Sequence, residues 1–172
     1  MIMTLLGSIL ILGSGWIIGS IINNVFINRI QQLRDFRFIL NLFNDEIAYS
    51  QTPLPTILKR VSKKANYPLS GIFKETYQRL EKNNGELFSD IWSAMLKENN
   101  ELMLTEGDIE ILIQWGEQIG SSPIEGQKKI NNIAIKNLQE IEENIREETK
   151  TNVKLIRYAS VLGSLAIVIY FL

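Results

Sequence analysis

The sequence contains no cysteine and no histidine. Without cysteine it has no disulfide framework and no thiolate nucleophile. Without histidine it lacks the commonest general base, the usual metal ligand and the usual pH switch. It also lacks a Gly-rich phosphate loop and a nucleophile–base pair. With 4 prolines and 11 glycines it is not a low-complexity chain. These absences argue against an enzyme, and lead us to expect no cofactor, no metal and no small-molecule substrate.

Charge is missing from particular places. The 18 Lys/Arg and 19 Asp/Glu sum to a net charge of −1, and all lie between Arg29 and Arg157. So even a balance gives no bulk attraction for nucleic acid. Residues 1–28 and 158–172 carry no Asp, Glu, Lys or Arg, which leaves a charged centre between two apolar ends.

The first end, residues 1–23, is long enough for a transmembrane helix, which needs about 20 apolar residues. A cleaved secretory signal would begin with a basic region, and none is present. Small residues such as Gly13, Ser14 and Gly15 keep that alternative open. The second end, residues 156–172, is read as another transmembrane helix. Its apolar part reaches only about 22 Å at about 1.5 Å per residue. Lys154 and Arg157 shorten the required span by reaching toward the interface. Apolar residues cover all sides of this segment, which disfavours a soluble amphipathic helix. Gly15-x-x-x-Gly19 and Ala159-x-x-x-Gly163 have the spacing that lets membrane helices approach, so the two ends pairing is an open alternative. Arg29, Arg34 and Arg37 flank the first segment on the inner side, and Lys150, Lys154 and Arg157 flank the second. The positive-inside rule then places the centre in the cytoplasm.

The centre, residues 28–154, reads as an all-α bundle of about six helices. Ile30, Leu33, Phe36, Leu40, Phe43 and Ile47 recur at helical spacing. Thr52 reads as an N-cap with Pro53 at the first helical position. The second helix carries Leu54, Ile57, Leu58 and Val61 and is expected to stop near Asn66, before Pro68. A third helix spans roughly 68–82, with Ile72, Phe73, Tyr77 and Leu80 inward. Asn83-Asn84-Gly85 is a turn signal. The fourth helix buries Leu87, Ile91, Trp92 and Met95. Thr105-x-x-Asp108 resembles a capping box and opens a fifth helix carrying Leu112, Ile113 and Ile119. Gly120 is expected to close it as a C′ residue. Ser121 or Ser122 then caps a sixth helix with Pro123 in its first turn. Its stripe is Ile130, Ile133, Ala134, Leu138, Ile141 and Ile145.

Several residues are candidates for contact with partners or for specifying the fold. Glu46 and Tyr49 share a helix face; a polar contact with a partner competes with a local bond to the Thr52-Pro53 turn, and the local bond is the simpler reading. Gly116 sits mid-helix, where glycine costs about 1 kcal/mol against alanine, so it marks a close helix crossing or a partner's docking point. Trp92 and Trp115 read as core. Residues 59–82 hold seven basic and two acidic side chains, including the patch Lys59, Arg60, Lys63 and Lys64; residues 98–125 hold seven acidic and no basic ones. Either face suits a partner of opposite charge, and either suits plain solvation. The Glu142-Glu143 and Glu147-Glu148 pairs are placed on the outer face of the sixth helix, as solvated carboxylates and not as metal ligands.

The run Arg29-Ile30-Gln31-Gln32-Leu33-Arg34, then Glu46-Ile47-Ala48-Tyr49 and Thr52-Pro53-Leu54-Pro55, resembles the stage III sporulation protein AB family of endospore-forming bacteria. So does Gly116-Glu117-Gln118-Ile119-Gly120-Ser121 followed by Gln127, with Ile119 where the family usually has Leu. The resemblance runs essentially the whole length. It implies a component of the channel between mother cell and forespore. It also implies a cytoplasmic domain similar to that of the type II secretion inner-membrane platform protein, which sits over a secretion-type ATPase. The expected partners are that ATPase, other channel membrane proteins and the membrane itself, and the expected place is the mother-cell membrane around the forespore. A membrane-bound coiled-coil sensor or regulator is the alternative, and it would require the sixth helix to dimerise.

Overall fold

A computed structural model describes residues 24–47, 52–82, 85–123 and 126–148, and every regular element among them is an α-helix. Residues 24–47 are helical (α1), followed by α2 (Leu54–Ser62), α3 (Leu69–Glu81), α4 (Phe88–Glu98) and α5 (Glu106–Ser121); residues 126–148 are helical as α6. Residues 29–142 form one compact unit. The two apolar ends, Tyr49 and Lys150–Arg157 lie outside the described residues. Among those described, no helix is long and apolar enough to cross a membrane.

The helical spacing of α1 does what it should. Leu33, Phe36, Leu40, Phe43 and Ile47 are all buried, and Ile39 joins them. The Thr105–Asp108 capping box forms: the Asp108 N–H donates to Thr105 Oγ1 and the Thr105 N–H donates to Asp108 Oδ2 at 2.9 Å. Two of the orphan N–H groups at the start of α5 are thereby satisfied.

Other ends of helices differ from expectation. Pro53, not Thr52, occupies the cap position of α2, and Pro55 falls in its first turn. Thr52 Oγ1 instead donates to Glu46 Oε2 at 3.4 Å, so its hydroxyl is spent on α1. α2 stops at Ser62, short of Asn66. Its last turn tightens as the Lys63 N–H bonds to the Arg60 carbonyl and the Lys64 N–H to Val61. Leu87 precedes α4 and is exposed, while Phe88 takes the buried place. Gly120 is not a C′ residue: α5 continues to Ser121, and a Cβ at Gly120 would lie 3.1 Å from Phe88 Cδ1. Its small size serves a close pass of helix against ring. Residues 124 and 125, whose N–H groups a serine cap of α6 would bond, lie outside the described residues. Ser121 Oγ donates back to the Glu117 carbonyl at 2.8 Å, and the Pro123 carbonyl accepts the N–H groups of Gly126 and Gln127.

Six aromatic rings organise the core. Trp92 lies 5.0 Å from Phe73, 5.2 Å from Trp115, 6.0 Å from Phe88 and 6.1 Å from Phe36, centroid to centroid. Phe43 meets Trp115 edge-on at 5.4 Å. Each such pair contributes about 0.5–1.5 kcal/mol beyond the area it buries. The rings come from α1, α3, α4 and α5, so the cluster joins elements far apart in the chain.

Side-chain bonds give the helix directions. Arg29 reaches Asp108 and Phe43 reaches Trp115, so α1 and α5 run parallel. Arg37 reaches Glu142 and Asn44 reaches Asn131, so α1 and α6 run antiparallel. α5 and α6 are therefore antiparallel neighbours joined by a short turn.

Candidate interaction surface

What α1 presents to the rest of the bundle is set by polar ties as much as by apolar burial. The Arg29 guanidinium holds Asp108 through two bonds, Nε to Oδ2 at 2.7 Å and Nη2 to Oδ1 at 2.9 Å. Arg34 Nε and Arg37 Nη1 grip the two oxygens of Glu142 at 2.7 and 2.8 Å. Glu142 is therefore buried between two arginines, contrary to the outer-face placement; its neighbour Glu143 stays exposed. A buried carboxylate is tolerable only when paired and hydrogen-bonded in this way. The same three arginines are the charges that flank the first apolar segment, so each serves the bundle directly.

Three buried polar residues escaped the sequence reading, of which Thr76 bonds only its own helix, donating its hydroxyl to the Ile72 carbonyl at 2.8 Å. Asn131 is fully buried on the inner stripe of α6; Trp115 Nε1 donates to its Oδ1 at 2.7 Å and its Nδ2 donates to Asn44 Oδ1 at 3.0 Å. Its signal was an amide at helical spacing from Ala134 and Leu138, on the apolar face. Gln32 is buried too, accepting from the Met103 N–H at 2.8 Å and donating to the Glu101 carbonyl at 3.1 Å. It pins the loop before α5, and it stands inside the most specific sequence motif.

The residues singled out from the sequence fall into three places. Thr52 Oγ1 and Arg60 Nη1 both donate to Glu46 Oε2, so the expected local bond forms and a polar tie joins α1 to α2. Tyr49 lies outside the described residues. Gly116, Gly120 and Gln127 belong to the joint of α4, α5 and α6. A Cβ at Gly116 would lie 2.2 Å from Trp92 Cδ1, and Gln127 Nε2 donates to the Ile119 and Ser122 carbonyls at 3.3 and 3.2 Å. The last contact satisfies carbonyls left open at the end of α5. Pro53 is exposed at the start of α2.

The basic patch is only partly an open surface. Arg60 is engaged by Glu46, and the Lys59 ammonium sits 5.0 Å from the Tyr77 ring centre. Its hydrogen bond with the Tyr77 hydroxyl, then the charges of Tyr77 and Glu81, raise the Lys59 pKa above the ordinary lysine value. It stays charged at physiological pH. Lys63 and Lys64 are exposed at the end of α2. Ile133 is also exposed, at 50%, because it points away from the Ala134–Leu138 stripe.

Fold and site together define an all-α helical bundle whose distinctive side chains are used for packing and for surface charge. The chain belongs to the stage III sporulation protein AB family, whose profile matches residues 4–172. It is similar to stage III sporulation protein AB of Bacillus subtilis (strain 168), with 26% identity over 166 residues that cover 96% of each chain. A solved structure of a stage III sporulation protein AB superposes with a TM-score of 0.64 at 26% identity, covering 72% of this chain and 98% of that one.

Proposed function

We propose that this chain is a membrane-anchored platform component of the sporulation channel between mother cell and forespore, linking a cytoplasmic secretion-type ATPase to the membrane channel. Residues 1–23 and 156–172 act as transmembrane helices in the mother-cell membrane around the forespore, and residues 28–154 form the cytoplasmic domain. It works by holding partners and not by catalysis.

The observation that carries this reading is the confinement of every charge to residues 29–157, with arginines and lysines at both inner boundaries. Family membership supports the sporulation context. The coiled-coil alternative loses ground to one feature of the bundle. Ala134 and Leu138, the stripe that α6 would need for dimerisation, are already buried.

Fractionation of sporulating cells tests the anchoring. The protein should stay in the pellet after alkaline carbonate extraction, and its centre should resist protease added outside intact cells. Co-purification in mild detergent tests the partners. Recovery with a secretion-type ATPase or channel membrane proteins is expected; consistent recovery alone would overturn the platform role.

A further inference from the structure

α5 and the N-terminal half of α6 carry opposite charges on their outer faces, while the C-terminal half of α6 is acidic from Glu140 onward. Glu110 and Glu117 are exposed on α5, seven residues apart, with exposed Gln114 between them. Lys129 and Lys136 are exposed on α6, also seven residues apart, with Ile133 between them at 50% exposure; Lys136 makes only a loose, exposed pair with Glu140 at 3.7 Å, weak enough to exchange for a partner's carboxylate. Seven residues are about two helical turns, or about 10.5 Å, so the two rows have equal spacing. Residues 98–125 contain no basic side chain, and residues 126–139 contain no acidic one. The lysine face also lines an open hollow of about 520 Å³ with Lys128, Asn132 and Ile133.

We infer that the α6 face Lys129–Ile133–Lys136 docks on the α5 face Glu110–Gln114–Glu117 of a second copy of this chain. The inference rests on the membrane-anchored reading, because anchoring gives all copies one orientation. α5 and α6 are antiparallel within a chain, so co-oriented copies bring α6 of one against α5 of the next in antiparallel sense. Equal spacing then sets Lys129 opposite Glu117 and Lys136 opposite Glu110, with Ile133 against the stem of Gln114. Each copy offers both faces, so the contact closes as a two-fold pair where both faces engage one neighbour and repeats into a ring or row where they engage two. Exposed ion pairs are individually weak, so the contact belongs to copies concentrated in a membrane plane.

The absence of cysteine makes the test direct. Full-length Ile133→Cys and Gln114→Cys proteins are co-expressed in membranes and treated with a short bismaleimide. A crosslinked pair is expected. Lys129→Glu/Lys136→Glu in the Ile133→Cys chain should abolish it, and Glu110→Lys/Glu117→Lys in the Gln114→Cys chain should restore it; that rescue also shows that the reversed chains fold. No crosslink, or one indifferent to both reversals, overturns the inference. So does a lysine face that instead binds anionic phospholipid vesicles while leaving crosslinking at background. Carbonate extraction of the same membranes separates the two readings. Pelleted protein without crosslinking sinks the self-contact alone, while freely soluble protein sinks the anchoring as well.

Discussion

Gly116 and Trp92 share one space. The absent side chain on α5 is filled by the indole from α4, whose Nε1 donates to the Leu112 carbonyl at 2.8 Å one turn earlier. The indole cannot retreat, because Phe36, Phe73, Phe88 and Trp115 surround it.

Gly116→Ala should therefore lower stability. Overpacking of a filled core costs about 1–3 kcal/mol, which exceeds the gain of about 1 kcal/mol from better helix propensity. Urea unfolding of the protein in detergent, followed by tryptophan fluorescence, measures the loss. Gly71→Ala is the matched control: no heavy atom lies within 4 Å of its added Cβ, so its midpoint should hold or rise.

Glu142→Gln should cost about 2 kcal/mol. Breaking a fully buried pair costs about 3–5 kcal/mol, but the Arg34 side chain is 41% exposed and water compensates part of the loss. Glu140→Gln, on the solvent side of the same helix, should change the unfolding free energy by less than about 0.5 kcal/mol. Equal effects at the two positions would refute the buried placement of Glu142.

Asp108→Ala and Asp108→Asn should differ. Alanine removes both the capping bond and the partner of Arg29, and losing the cap alone costs about 0.5–2 kcal/mol. Asparagine keeps an oxygen for the Thr105 N–H but gives up the charge. Its midpoint should fall between those of wild type and Asp108→Ala, and added salt should leave its gap from wild type largely unchanged, because the pair is shielded from solvent.

Asn131→Leu should leave the Trp115 N–H buried without an acceptor, at about 1–3 kcal/mol. In a Trp115→Phe background the same change should cost less, since no N–H remains to orphan. A double-mutant cycle measures that difference, and additive losses would show the bond to be energetically idle.

The limits of legibility show most clearly at Glu142. Its charge led to the outer-face placement, although four-residue steps from Ala134 and Leu138 reach it along the buried stripe. Arg34 and Arg37 decided the matter from more than 100 positions away in the chain. Gly120 poses the same problem. A glycine near a helix end suits a cap and a close approach equally well, and only the ring of Phe88 selects the second. Thr52 read as a cap, but the local bond expected between Glu46 and the Thr52-Pro53 turn is the one that forms, and it takes the hydroxyl a cap would need.

Sequence by itself determined what repeats along one helix or sits within one turn. Legible from it were the apolar stripes of α1 to α6, apart from the exposed Leu87 and Ile133, the Thr105–Asp108 box and the burial of both core tryptophans, because a stripe or a box depends on neighbours three or four residues away. Tertiary structure alone decided which polar groups go inside and which glycines meet rings. A buried charge or a missing Cβ is favourable only against a specific partner, and those partners lie on helices that the chain brings together only by folding.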